Sequence, residues 1–153
     1  MKKLNKSKTI LVIHGPNLHL LGKREPKIYG KFSLEDINNA LKQKAKENKI
    51  SIDIIQSNSE GEIVEKITKT KYDLLIINPA AYTHTSVAIR DAILAIGRPA
   101  IEVHLSNIYK REDFRKKSLV SDVVLGVITG FGMCSYILAF DAAISFFKSF
   151  KVK

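Results

Sequence analysis

The sequence has a single cysteine, Cys134, among 153 residues. An internal disulfide is therefore excluded, and a cysteine-based metal cluster is not expected. No cluster of carboxylates suggests a metal, and no glycine-rich run has the form of a phosphate cradle. Acidic residues are absent from both tails. Lys2, Lys3, Lys6 and Lys8 at one end, with Lys148, Lys151 and Lys153 at the other, hold seven of the 25 basic residues. The other 18 face 15 acidic residues, so the formal charge of +10 falls to +3 between Thr9 and Phe147. A body so weakly charged is not a phosphate-binding surface, and solvated tails account for the excess; nucleic acid is not an expected partner. No secretory signal is visible, because the first lysines lead straight into the four-residue apolar run Ile10–Ile13; a cytoplasmic protein is expected. The stretch from Val123 to Phe140 lacks charge and has the length of a membrane span. Gly126, Gly130 and Gly132 interrupt it, however, and Asp122 and Asp141 close its ends. It is expected to be a buried strand, a glycine turn and a core helix, not a membrane segment.

What is present is alternation. With 45% hydrophobic and 26% charged residues, the chain has the composition of one folded domain with a core. Apolar runs recur at Ile10–Ile13, Ile50–Ile55, Leu74–Ile77, Pro99–Val103 and Val123–Ile128. Apart from the second, they are nearly continuous, as in strands covered on both faces. Helical spacing lies between them. Ser33 with Asp36 forms a capping signature ahead of Leu34, Ile37, Leu41 and Ala45. Ile63 and Ile67 follow Glu60, and Ser86 opens a helix that Gly97 and Pro99 end. Ser135 is expected to open the last helix, and only Arg111–Lys117 is weakly patterned. Five such units predict a single-domain, flavodoxin-like α/β fold. Its doubly wound sheet would have five parallel strands in the order 2-1-3-4-5 and helices on both faces. The expected limits are a basic tail over 1–8, a catalytic domain over 9–147 and a basic tail over 148–153.

Ligands of such sheets bind beyond the carboxyl ends of the strands, where strand order reverses. The loops expected there hold His14-Gly15-Pro16-Asn17-Leu18-His19, Arg24, Glu25 and Tyr29, then Gln56-Ser57-Asn58. Asn78 to Ser86 follow, and then His104 to Asn107 with Arg111 and Arg115. Individually these residues have plain structural uses. A lone His or Asn satisfies backbone groups, Gly-Pro makes a turn, and Tyr29 can be a packed aromatic. Arg111 and Arg115 could share one solvated helix face. Glu102 is different: it lies inside an apolar strand, two residues before His104, so both leave the same face. A buried carboxylate needs partners, and orienting an imidazole is a familiar use for one.

Together these groups suit proton transfer on a small anionic molecule. A tyrosine is a base at neutral pH only where positive charge stabilises the phenolate, and Arg24 can supply that charge. A Glu-oriented His104 can act as a general acid, while Asn17, Asn78, the Leu105-Ser106 amides and Arg115 can hold a carboxylate and hydroxyls. Elimination by base and acid needs no nucleophile and no metal.

The chain also resembles the type II 3-dehydroquinate dehydratases over about Thr9 to Phe147. Four blocks carry the resemblance. The first is Gly15-Pro16-Asn17-Leu18 with Leu20-Leu21-Gly22, Arg24-Glu25-Pro26 and Tyr29-Gly30, and the second is Gln56-Ser57-Asn58 with Glu60-Gly61. Asn78-Pro79 through Ser86, with Arg90-Asp91, forms the third. Glu102 to Asn107, with Arg111-Glu112 and Phe114-Arg115, forms the fourth. The resemblance implies a lyase that removes water from 3-dehydroquinate in an anti elimination through an enolate, giving 3-dehydroshikimate. This is the third step of the shikimate pathway to chorismate and aromatic amino acids. It implies Tyr29 as proton acceptor, His104 as proton donor and Arg24 as transition-state stabiliser, with Asn17, Glu102 and Arg111 in the catalytic set. Asn78, His84, Asp91, Leu105, Ser106 and Arg115 would bind substrate, Asp91 from a neighbouring subunit of a dodecamer built from trimers. The Lys23–Tyr29 loop would close as a lid, and no cofactor is implied. His14 and His19 stand where the family more often has asparagine, and Ala80 where it has glycine. Rivals of other classes fit less well. A flavin carrier would want a Ser/Thr/Gly-rich loop after the first strand, a phosphoryl-accepting domain an aspartate at Asn78, and a nucleic-acid module has only the tails.

Overall fold

The computed structural model describes residues 7–149. Strands β1 (Thr9–His14), β2 (Ser51–Gln56), β3 (Leu74–Asn78), β4 (Ala100–His104) and β5 (Gly126–Thr129) form one parallel sheet in the order β2-β1-β3-β4-β5. The helices are α1 (Pro26–Tyr29), α2 (Leu34–Glu47), α3 (Glu60–Lys69), α4 (Val87–Ile96) and α5 (Cys134–Ser149). The expected strand order and parallel pairing are thus observed.

Alternation along the central strands builds two cores. Ile10, Val12, Leu74, Ile76, Ile101 and Val103 face α2 and α5, meeting Ile37, Leu41, Tyr136 and Phe140. Leu11, Ile13, Leu75 and Ile77 face the other way, onto Ile63 and Ile67 of α3 and Ile89 and Ile93 of α4. Each such Ile or Leu, fully removed from water, contributes about 1.5–3 kcal/mol. Caps set the helix starts. Ser33 accepts from the Asp36 amide while the Asp36 carboxylate accepts from the Ser33 amide, and the Ser59 and Ser86 hydroxyls accept from Glu62 and Ile89. Gly97, at φ 64°, closes α4 in the left-handed conformation that favours glycine.

Some boundaries differ from expectation. The fifth strand starts at Gly126 and not at Val123, because Ser121–Val123 forms a 3-10 turn that packs Val123 and Val124 against the α3/α4 core. Ser135 lies inside α5, and its hydroxyl accepts instead from the Phe131 amide at 3.0 Å. The fourth strand runs on to His104, although the Pro99 carbonyl still accepts from the Leu75 amide at 2.9 Å. The charge-free stretch from Val123 to Phe140 contains β5, a turn with Gly130 and Gly132 at φ 100° and 58°, and the start of α5. Among the described residues, no helix is long and apolar enough to cross a membrane. Of the basic tails, 1–6 and 150–153 lie outside the described residues; Lys8 pairs with Asp73 at 3.3 Å, and Lys148 sits in the last turn of α5.

Candidate active site

The sheet's carboxyl edge is level. His14 pairs in register with both Gln56 and Asn78, and His104 pairs with Thr129. β1 and β3 are neighbours in the sheet but not in the chain, which is the reversal of strand order where a crevice forms. A cleft opens there with about 730 Å³ of empty space, counting its open mouth.

Close contact between the two flanking loops shapes its floor. The Gly15 amide donates to the Asn78 carbonyl at 2.8 Å, and a Cβ on Gly15 would stand 2.5 Å from the Pro79 carbonyl oxygen. Only glycine fits. Asn17 follows in the left-handed region, at φ 68°, with its amide held by the Asn58 side chain at 3.0 Å. Gln56 also donates to that Asn58 oxygen, at 3.1 Å, and the Tyr82 hydroxyl donates to the Asn58 carbonyl at 2.7 Å. Gln56 and Asn58 thus brace the Asn17 loop and do not line the cleft. Opposite, Asn78 accepts from the Ala80 amide at 3.1 Å, with Ala80 itself left-handed at φ 51°.

β4 supplies the buried pair. Glu102 is wholly buried, and its Oε1 lies 2.6 Å from His104 Nε2. Ser118 donates to Oε1 at 2.9 Å and Ser121 to Oε2 at 2.6 Å. Burial pushes the Glu102 carboxyl up, but the hydrogen bonds and charge from His104 and the two serine hydroxyls outweigh it and hold the group below the usual range. An ionised Glu102 makes His104 Nε2 a donor and leaves Nδ1 without a protein partner among the described residues.

Tyr29 ends α1 at the cleft, half-buried, and its hydroxyl accepts from Arg111 Nη1 at 2.8 Å. Two guanidinium groups stand over its ring, Arg111 at 5.2 Å and Arg24 at 5.9 Å from the centroid. The Arg111 side chain is 14% exposed and that of Arg24 is 44%, so Arg111 is the less screened cation as well as the hydrogen-bonded one. Arg24 also lies 3.6 Å from the Glu25 carboxylate.

His84 donates through Nδ1 to the Lys117 carbonyl at 2.7 Å. Burial, with the neighbouring His104 and Arg115, outweighs that bond and lowers its pKa, so the ring is neutral at pH 7 and offers Nε2 as an acceptor. Leu105, Ser106 and Arg115 complete the wall. The Leu105 and Ser106 carbonyls are pinned by the Gly132 amide at 2.9 Å and the Thr129 hydroxyl at 2.8 Å.

The cleft therefore gathers Asn17, Arg24, Tyr29, Asn78, His84, His104, Leu105, Ser106, Arg111 and Arg115. Glu102 stands behind it on His104. Asp91 does not join it: it is exposed on α4, away from the lining. Not all four histidines share the cleft. His19 is exposed and outside it, and His14 is buried beneath, with Nδ1 2.8 Å from the Tyr136 hydroxyl and Nε2 2.8 Å from Asn38 Oδ1. Burial lowers the His14 pKa to about 4, against the opposing Asn38 bond. Since Asn38 Oδ1 only accepts, Nε2 carries the proton and Nδ1 accepts from Tyr136. Burial pushes the Tyr136 phenol well up, a bond from the Asn78 side chain opposing it, so the network ends on a cleft residue.

Four contributors escaped the sequence reading: Ser118, Ser121, Asn38 and Tyr136. For the serines, the available signal was the need of a buried Glu102 for donors. For Asn38 and Tyr136, on helix faces patterned for packing, there was none.

The family model described as Dehydroquinase class II matches residues 8–144. The 3-dehydroquinate dehydratase of Francisella philomiragia is 61% identical over 137 residues, which are 90% of this chain and 94% of that protein. The crystal structure of type II dehydroquinase from Butyrivibrio crossotus superposes with a TM-score of 0.87 at 44% identity, covering 89% of this chain and 97% of that one. The corresponding Propionibacterium acnes structure gives 0.85 at 40% identity, covering 91% and 97%. By sequence and by fold, the chain belongs to the class II dehydroquinases.

Proposed function

We infer that this chain is a 3-dehydroquinate dehydratase, a hydro-lyase of the shikimate pathway, in which Tyr29 and His104 are the base and the acid. Its family membership and its 61% identity to a 3-dehydroquinate dehydratase support the reaction. One observation carries the residue roles: a phenol hydrogen-bonded to a guanidinium lines the same cleft as an imidazole backed by a buried carboxylate.

Tyr29, as phenolate, takes the proton from the carbon beside the substrate ketone. Arg111 donates to the oxygen that carries that charge, and Arg24 adds a second positive group over the ring. The enolate oxygen is stabilised by Asn17 through a water. His104, charged and steadied by Glu102, protonates the leaving hydroxyl, and water departs anti to the abstracted proton. Asn78, His84, Leu105, Ser106 and Arg115 hold the substrate, with Arg115 suited to its carboxylate and His84 Nε2 to a hydroxyl. The Lys23–Tyr29 segment closes over the bound molecule and excludes water. No cofactor or metal takes part. Asp91, exposed and remote from its own cleft, serves the cleft of a neighbouring subunit in a homododecamer built from trimers, and the enzyme works in the cytoplasm.

The test is Tyr29→Phe. With the ring kept and the oxygen removed, turnover followed through the enone absorbance of the product should fall by roughly 10²–10⁴-fold, while substrate affinity stays within a few-fold. Undiminished turnover would remove Tyr29 from the mechanism.

A further inference from the structure

The direction of the hydrogen bonds behind His104 is set by a residue outside the cleft. Ser118 Oγ lies 3.1 Å from the Val120 amide and 3.1 Å from the Ser121 amide, both of which donate to it. A hydroxyl has two acceptor lone pairs and one proton. With both lone pairs occupied by backbone amides, the proton has one place to go, Glu102 Oε1 at 2.9 Å. Oε1 accepts from Ser118, which favours the ionised carboxylate, and an ionised Oε1 has only lone pairs to offer His104, whose Nε2 is 2.6 Å away. Nε2 must be the donor. Ser121 closes the other side, its hydroxyl 2.6 Å from Oε2.

The segment that presents these two hydroxyls is itself tied down. The Leu119 amide donates to the Thr83 carbonyl at 2.8 Å, the Lys117 carbonyl receives His84, and Arg90 on α4 donates to the Leu119 carbonyl at 2.8 Å. Arg90 also forms an ion pair with Asp122. The strap from Lys117 to Asp122 is thus anchored on both flanks, and Ser118 is held against a carboxylate that water does not reach.

We propose that Ser118 is the positioning residue that sets the tautomer of His104: its hydroxyl, directed by the Val120 and Ser121 amides, favours an ionised Glu102, which holds the proton on Nε2 and leaves Nδ1 facing the substrate as the nitrogen that takes up and gives away the second proton. Ser121 supports it by holding Oε2, but among the described residues no backbone amide donates to its hydroxyl, so it does not fix the direction. The inference rests on the assignment of His104 as the acid only for its catalytic consequence; the tautomer itself does not depend on it. In reaction terms, Nε2 keeps its proton throughout, held by Glu102. Nδ1 gives its proton to the departing hydroxyl, and the ring returns to the neutral Nε2–H form.

The experiment is ¹⁵N NMR of the histidine side chains in the intact protein, read with steady-state kinetics. In the wild type with a neutral His104, its Nε2 should carry the proton. Ser118→Ala, which leaves Oε1 free of that donor, should introduce the Nδ1–H form and lower kcat by roughly tenfold with KM within about twofold, since a hydrogen bond to a charged group is lost away from the substrate. Ser118→Thr keeps the hydroxyl and should restore both. A neutral His104 in the wild type with its proton on Nδ1, or a Ser118→Ala variant with an unchanged tautomer, overturns the proposal whatever the activity does. The wild-type spectrum decides even if the alanine variant does not fold. An altered tautomer with undiminished turnover upholds the role of Ser118 and instead removes His104 as the acid.

Discussion

Lowering the pH should expose a stability term from His14 that a comparison of variants isolates. The ring is wholly buried, and its pKa is lowered from 6.5 to about 4. Between those values the unfolded chain binds a proton on His14 that the folded chain does not. Stability therefore rises with pH across that window, is fully present above about pH 6.5, and is lost as the pH falls toward 4. Each unit of separation is worth about 1.4 kcal/mol, so the whole shift corresponds to about 3 kcal/mol, and roughly 2–3 kcal/mol should disappear between pH 7 and pH 4.5. Carboxylates held low in the fold, among them Glu102 and Asp122, also lose stability on acidification, with the opposite cause. They are shared by wild type and variant and cancel in the difference. The comparison is wild type against His14→Asn, by urea unfolding at fixed protein concentration and pH 7 and 4.5. The sequence has no tryptophan, so circular dichroism is the suitable signal. Any pH-independent packing defect of the variant shifts both of its curves equally. Wild type should lose roughly 2–3 kcal/mol more than the variant over this interval. Equal losses would refute the claim that His14 is buried neutral.

Arg111→Ala removes the donor to the Tyr29 hydroxyl and should lower kcat by about 10–100-fold, as expected for a hydrogen bond to a charged group; kinetics equal to wild type would leave the phenolate to Arg24 alone. Ala80→Gly should raise stability by up to about 1 kcal/mol, because relief of a left-handed alanine at φ 51° exceeds the entropy that glycine adds to the unfolded chain; a drop in the urea midpoint would contradict this. Asp91→Ala should leave the cleft of its own chain intact yet reduce turnover. Mixing Asp91→Ala with Tyr29→Phe subunits should restore activity in mixed assemblies, and the absence of restoration would remove the shared-site proposal.

The sequence by itself determined the architecture. Short, nearly continuous apolar runs fit strands covered on both faces, and the 3.6-residue stripes between them, with serine caps and Gly97, leave few arrangements besides a doubly wound sheet. It also marked Glu102, because a carboxylate two residues from a histidine on a buried strand needs a reason. Strand ends were less legible. Val123 and Val124 have the composition of a strand, but packing against α3 and α4 from a turn buries them as well, and composition does not separate the two outcomes.

Only the tertiary structure decided which polar groups meet. Ser118 reaches Glu102 across 16 residues and Arg111 reaches Tyr29 across 82, distances over which no periodicity carries information. Arg24 stood nearer to Tyr29 in the chain, but Arg111 is the guanidinium that the fold hydrogen-bonds to the hydroxyl. His14, in the same short segment as Asn17, went under the cleft because the last residue of β1 still points into the α2/α5 layer. Hydrophobic pattern is local and repeats along the chain. Hydrogen-bond partnership is settled by where each loop leaves the sheet, and that is known only once the sheet is assembled.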